Sequence, residues 1–227
     1  MNNNLSSIIL CGGKGLRLRP ITKDIPKPLV RINNKPMLYY IIQHLKKFKI
    51  NQFIIATGYK SEKIEEFMKC TFPKLNYKIV KSGNVNTLVR IKKCLKHIDG
   101  DFLLSYGDTL SNININKLIS FHKLKPNKAT ISSFPITIPF GVMELTKSGI
   151  VKSFKEKPIL NEVMNIGYYY FTKSFHELIK KEKDLLSLIN KLVYTKQLRC
   201  YQHDGVHITI NTITELEYAK NNIKTIY

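Results

Sequence analysis

The sequence predicts an α/β fold, with a mostly parallel central sheet flanked by helices and a strand-rich extension in the second half. Three observations carry this. Short apolar runs alternate with amphipathic stretches through the first half, which is the pattern of βαβ units. A glycine- and cation-rich loop follows directly on the first apolar run, at the kind of edge where such sheets receive ligands. Beyond about residue 129 the spacing shortens to strands separated by turns.

Taken in order, Leu5 to Leu10 reads as a buried strand. Met37, Ile41, Leu45 and Phe48 fall at helical spacing, so a helix is expected over Met37 to Phe48. Gln52 to Ala56 is a strand, followed by a helix from Ser61 to Met68 with Ser61 as N-cap. Tyr77 to Val80 is a strand, and Leu88, Ile91, Leu95 and Ile98 form the next helical stripe. Phe102 to Tyr106 is a strand ending in Gly107-Asp108. Short strands follow at Ala129 to Phe134, Val142 to Leu145, Ile150 to Phe154 and Tyr168 to Phe171. Helices at Phe175 to Lys181 and Leu185 to Tyr194 lead to strands at Arg199 to Gln202 and His207 to Ile210, then a last helix from Thr214 to Ile223. The consecutive Tyr168, Tyr169 and Tyr170 alternate faces of their strand and are expected in core and rim.

The chain has 227 residues, enough for one α/β domain with a sizeable core, and residues 1–227 are expected to form a single domain. Lys plus Arg number 37 against 16 Asp plus Glu, a net charge of +21. That balance suits anionic partners, but the lysines are scattered through a chain rich in Lys, Asn and Ile. Composition bias accounts for it, and charge alone predicts no nucleic-acid binding. The four cysteines lie far apart with no C-x-x-C pair, which predicts free thiols and a reducing cytoplasm and argues against zinc. The first apolar run is too short for a signal-peptide core, and no stretch approaches a membrane span, so no integral membrane association is expected.

The loop Cys11-Gly-Gly-Lys-Gly-Leu-Arg-Leu-Arg-Pro20 is the most informative segment. Gly12, Gly13 and Gly15 allow tight turning and close approach of N–H groups, while Lys14, Arg17 and Arg19 add positive charge. Together they predict a trap for a triphosphate. No Gly-Lys-Ser/Thr closes the loop, and Leu18 stands where a dinucleotide fingerprint needs its third glycine.

Ile8-Ile-Leu-Cys-Gly-Gly-Lys-Gly-Leu-Arg-Leu-Arg-Pro-Ile-Thr22, followed by Pro26-Lys-Pro-Leu-Val30, resembles the signature of the sugar-1-phosphate nucleotidyltransferases. That family's pattern is Gly-Gly-x-Gly-Thr-Arg-Leu-x-Pro-x-Thr and then Pro-Lys-Pro. Tyr106-Gly-Asp108, Ala129-Thr130, Phe140-Gly-Val-Met-Glu-Leu145, Phe154-Lys-Glu-Lys-Pro158 and Asn165-Ile-Gly-Tyr168 follow in the family's order and are most similar to the glucose-1-phosphate cytidylyltransferases. The resemblance covers nearly the whole chain and implies a Rossmann-like sheet with the strand-rich extension on the substrate side.

It implies transfer of a nucleoside monophosphate from an NTP, CTP favoured, to a sugar 1-phosphate or similar phosphorylated acceptor. In-line attack on the α-phosphorus then releases pyrophosphate. By resemblance, Arg17, Lys27 and Asp108 are catalytic. Leu10, Gly12, Gly13, Lys14, Gly15, Gly83 and Asp108 bind the nucleotide, and Gly141, Glu156, Lys157 and Asn165 face the acceptor. Asp108 is the implied Mg²⁺ ligand. Read without the family, Lys27 between two prolines is a rigid surface loop, Asp108 a turn residue, and Glu156-Lys157 a solvated hairpin. The family commonly forms dimers or larger assemblies, and homo-oligomers are a corresponding expectation here.

Three departures from the family stand out. Leu16 replaces the phosphate-loop threonine. Thr87-Leu-Val-Arg90 replaces Thr-Gly-Gly-Arg, with Leu88 and Val89 expected to crowd the base. The second metal aspartate of the family becomes Thr209 or Asn211, depending on alignment, with Asp204 upstream as a candidate substitute. These departures leave an alternative, a non-catalytic nucleotide- or phosphosugar-binding homologue acting as a partner protein.

Overall fold

The computed structural model describes residues 5–226. Its elements are β1 (Ser6–Cys11), β2 (Arg31–Ile32), β3 (Lys35–Pro36), α1 (Met37–Lys46), β4 (Gln52–Thr57), α2 (Ser61–Thr71), β5 (Tyr77–Lys81), α3 (Thr87–Leu95), β6 (Phe102–Tyr106) and β7 (Thr109–Ser111). Then come α4 (Ile115–Lys123), β8 (Ala129–Thr137), β9 (Val142–Leu145), β10 (Val151–Lys155), β11 (Ile159–Phe171), α5 (Phe175–Lys181), α6 (Leu185–Tyr194), β12 (Leu198–Gln202), β13 (His207–Thr209) and α7 (Ile213–Ile226).

Seven strands form the central sheet in the order β12-β8-β11-β6-β1-β4-β5. β1 runs parallel to β4 and β6, β4 to β5, and β12 to β8. Only β11 is antiparallel to its neighbours, β6 and β8. The mostly parallel sheet flanked by helices is thus present, with a Rossmann-like first half.

Alternation along the strands divides the core into two layers. Ile9, Phe53, Ile55, Leu103, Tyr168 and Tyr170 pack with α1, α2, α4 and α7 on one face. Ile8, Ile54, Phe102, Leu104, Tyr169 and Phe171 pack with α3, α5 and α6 on the other. The three consecutive tyrosines do alternate faces, but all are buried and none forms a rim. Each hydroxyl has a partner: Tyr168 donates to Thr109 O on β7, Tyr170 to Asp101 just before β6, and Tyr169 pairs with Tyr106 on β6. Those partners remove the cost of burying a phenol.

Three local differences from the sequence expectation have plain causes. The N-cap of α2 is Lys60, in a left-handed conformation, and Ser61 is the first helical residue with its hydroxyl on Thr57 Oγ1. β7 and α4 occupy an Asn-rich stretch that breaks up the apolar period; α4 is N-capped by Asn114, whose side chain accepts from Lys117 N. β11 extends upstream to Ile159, far beyond its apolar tyrosine run, because it pairs with β8 along that length. β9 and β10 form a separate two-stranded ribbon, and every residue of β9 is exposed.

What positions the site is the carboxyl edge of the parallel strands. Leu10 on β1 pairs in register with Tyr106 on β6, so the loop after Cys11 and the turn at Gly107-Asp108 leave the sheet side by side. Gly107 N donates to Leu10 O at 3.0 Å. A Cβ on Gly107 would lie 2.8 Å from that same oxygen and 2.9 Å from Cys11 Sγ, so only glycine lets Asp108 come this close to the loop.

Candidate active site

The loop after β1 turns back through short 3-10 segments at Leu16–Leu18 and Ile21–Lys23, then a third at Lys27–Leu29. Pro26 is extended before the third segment and Pro28 lies inside it. These constraints push Lys27 inward. It is 8 % exposed, which overturns the surface-loop reading. Its Nζ lies 2.5 Å from Asp108 Oδ2 and donates to Asn211 Oδ1 at 2.9 Å. Arg17 NH2 donates to the same Asn211 oxygen at 2.9 Å.

These groups line a cleft of about 400 Å³, with Gly13, Gly15, Leu16, Arg17, Lys27, Asp108 and Asn211 on its walls. Residues from four separate parts of the chain therefore meet at the carboxyl edge. Two fixed cations face one carboxylate, an arrangement that attracts a polyphosphate.

Asn211 reaches the cleft through the register of β13. Thr209 pairs with Thr109 across the β13–β7 ladder, and its hydroxyl contacts His207 Nε2. Ile210 N donates to Asp108 O, and Asn211 then emerges beside Lys27. Of the two candidates for the family aspartate position, Asn211 is thus the one in the cleft. A capping box at the start of α7 holds it: Glu215 Oε2 accepts from Asn211 N at 2.7 Å and Thr212 N at 2.8 Å, while Glu215 N donates to Thr212 Oγ1. Asp204 is exposed and lies outside the cleft lining.

Beneath the loop lies a residue to which the sequence assigned no role. Arg90, on α3, is 6 % exposed. Its guanidinium donates to Thr57 O at 2.6 Å, Gly83 O at 3.1 Å and Val85 O at 3.3 Å, and also to Ser82 Oγ. Burial lowers its pKa, with the nearby Cys94 and Cys11 opposing. A Cβ on Gly12 would run into this guanidinium, so Gly12 is required by what packs under the loop. The Thr-x-x-Arg remnant was the one available signal. Leu88, expected to crowd a base, points instead into the apolar core with Ile8 and Ile54.

The other predicted residues lie outside the cleft lining. Leu10 is within β1, Lys14 is exposed, and Gly83 turns with φ 70° at the end of β5. Gly141 packs against the Phe154 ring, with Glu156 Oε2 3.1 Å from where its Cβ would be. Lys157 adopts φ 44°, a left-handed conformation uncommon for a side chain of this size. Asn165 donates to the Tyr169 hydroxyl and accepts from Gly167 N. Tyr169 in turn pairs with Tyr106, which stands two residues before Asp108 at the end of β6.

The donor set at Asp108 suits a hard divalent ion only in part. One carboxylate and one amide oxygen are present, and magnesium is commonly held by one or two carboxylates plus substrate phosphates. Among the described residues no group of three or more His, Cys, Asp and Glu is placed to hold a metal. If a divalent ion binds here, Asp108 would supply the carboxylate, and phosphate oxygens of a substrate would have to supply most of the remaining ligands.

The sequence compares well with known proteins. The nucleotidyl transferase family model matches residues 6–206. The chain is 36 % identical to D-glycero-alpha-D-manno-heptose 1-phosphate guanylyltransferase of Campylobacter jejuni, covering 79 % of this chain and 81 % of that one. It is 30 % identical to glucose-1-phosphate cytidylyltransferase of Salmonella typhimurium, covering 95 % of each. The structure of HddC from Yersinia pseudotuberculosis superimposes with a TM-score of 0.75 at 22 % identity, covering 96 % of this chain and 99 % of that one. With a family model spanning most of the chain and relatives matched nearly end to end, this protein belongs to the nucleotidyl transferase family.

Proposed function

We propose that the chain transfers a nucleoside monophosphate from an NTP, with CTP favoured, to a sugar 1-phosphate. A phosphate oxygen of the acceptor forms a bond to the α-phosphorus, the bond from that phosphorus to the β-phosphate bridging oxygen breaks, and pyrophosphate leaves with the electron pair. The observation that carries this reading is the meeting of Arg17, Lys27, Asp108 and Asn211 in one cleft beside the glycine-rich loop.

The reaction brings two anions together, so the catalyst's task is alignment and neutralisation of charge. Arg17, which cannot lose its proton, holds the triphosphate at the mouth of the cleft. Lys27 exchanges its contacts with Asp108 and Asn211 for phosphate oxygens as the nucleotide enters, and is then available to the charge that develops at the α-phosphorus. Loop N–H groups from Gly12 to Gly15, with Leu10, Lys14 and Gly83 nearby, bind the nucleotide. Glu156 accepts from sugar hydroxyls, Lys157 meets the acceptor phosphate, and Gly141 and Asn165 shape that pocket. A Mg²⁺ ion bound at Asp108 would withdraw negative charge from the phosphates. The full-length likeness to a glucose-1-phosphate cytidylyltransferase supports CTP as the donor, and four free cysteines suit a reducing cytoplasm.

The test is pyrophosphate release from the purified protein with Mg²⁺, each NTP being crossed with a panel of sugar 1-phosphates. Release that requires both CTP and a sugar 1-phosphate, and is lost in Asp108→Asn, is expected. Nucleotide binding without release from any pair would instead favour a non-catalytic binding protein.

A further inference from the structure

We infer that Asn211 makes the Lys27 ammonium the resident cation of Asp108, so that the nucleotide-free protein holds no divalent metal and takes the polyphosphate directly onto Arg17 and Lys27. Any Mg²⁺ then arrives already bound to the nucleotide. This rests on the reading of the cleft as a nucleotide site.

Three observations support it. The first is the orientation of Asn211. Arg17 and Lys27 are donors only, so the atom facing both must be the amide oxygen. One neutral oxygen therefore takes two cationic donors, where a carboxylate would have cancelled a full charge. The cleft is left with two cations against the single carboxylate of Asp108.

The second is the position of Lys27. Its Nζ bridges Asp108 Oδ2 at 2.5 Å and Asn211 Oδ1 at 2.9 Å, and so already occupies the oxygens that these two residues would offer a metal. A divalent ion approaching the empty protein would have to displace a buried ammonium while gaining only one carboxylate. A nucleotide makes the exchange easier, because phosphate oxygens give the displaced ammonium new acceptors.

The third is that, among the described residues, Asp108 is the one carboxylate that lines the cleft, and neither Glu215 nor Asp204 joins it there. Glu215 is adjacent in space, but its Oε2 already accepts from Asn211 N, Thr212 N and Thr212 Oγ1. That oxygen is engaged in the α7 cap. Asp204 lies outside the cleft.

The test has two readouts, neither of which is turnover. Mn²⁺ is titrated into nucleotide-free protein and free ion is followed by electron paramagnetic resonance. A non-hydrolysable α,β-methylene CTP is titrated separately in EDTA and in excess Mg²⁺. The wild-type protein is expected to leave the Mn²⁺ signal undiminished and to bind the analogue in EDTA within about tenfold of its affinity in Mg²⁺. Asn211→Asp is expected to take up Mn²⁺ without nucleotide and to lose about tenfold or more of its affinity for the analogue in EDTA. Uptake of Mn²⁺ by the nucleotide-free wild-type protein would overturn the inference, however the variant folds. Binding of the analogue by wild type only when Mg²⁺ is present would overturn it too, while leaving the nucleotide site standing. No binding of the analogue under either condition would overturn the site itself.

Discussion

At the scale of single residues, Lys27, Arg90 and Gly12 divide between the cleft wall and what packs beneath the loop. Lys27 faces the cleft from a rigid turn and is buried against Asp108, so on the proposed reading Lys27→Ala removes charge stabilisation and also leaves that carboxylate without its ammonium. The expected result is a fall in kcat of about 10²–10³ in the pyrophosphate assay, together with a lower urea midpoint. Arg90 is the converse. Its guanidinium satisfies carbonyls of Thr57, Gly83 and Val85 without contributing to the cleft lining. Arg90→Ala strands those acceptors and is expected to cost about 3 kcal/mol or more in urea unfolding. Gly12→Ala drives a methyl into the same guanidinium and should also lower the urea midpoint. The loop's glycines and cations stood out because they sit in one contiguous motif, whereas Lys27 was singled out only by its resemblance to the family's Pro-Lys-Pro segment. Arg90's role was hidden because it depends on carbonyls from two other loops converging on it.

Among the elements, α7 matters most to the site. Its first turn is a capping box of Thr212 and Glu215, and that box also anchors the backbone of Asn211. Glu215→Ala should lower stability by about 1 kcal/mol and raise the KM for the nucleotide, measured by urea unfolding and steady-state kinetics. A variant that lost stability alone would show that the cap does not position Asn211. Elements with clear apolar periodicity were readable from sequence; α5, α6 and β9 have the bounds their patterns gave. β7 and α4 were not, because Asn112, Asn114 and Asn116 interrupt the stripe. The choice between Thr209 and Asn211 needed the β13–β7 register, which a single sequence does not contain.

For the whole molecule, the two-layer core and the carboxyl-edge site follow from strand alternation, while the excess charge has no single focus. The buried histidines link the fold to pH. Burial lowers His44 to about 4, against the raising effect of its bond to Ile113 O. His207 is likewise lowered by burial to about 4. A neutral histidine in the folded chain that protonates near pH 6.5 when unfolded gives stability that is complete above that pH and falls as pH drops toward 4. His44 contributes on the order of 3 kcal/mol to this loss. Urea midpoints at pH 7.5 and 4.5 should therefore differ, and His44→Gln should narrow the difference.

On the proposed reading, the polyphosphate occupies the cleft between the glycine-rich loop and Asp108. The most direct measurement is a crystal structure with α,β-methylene CTP bound. The account predicts phosphate oxygens at about 3 Å from Lys27 Nζ and the Arg17 guanidinium, with Lys27 drawn off Asp108. Phosphates bound elsewhere, with the Lys27–Asp108–Asn211 contacts unchanged, would contradict it.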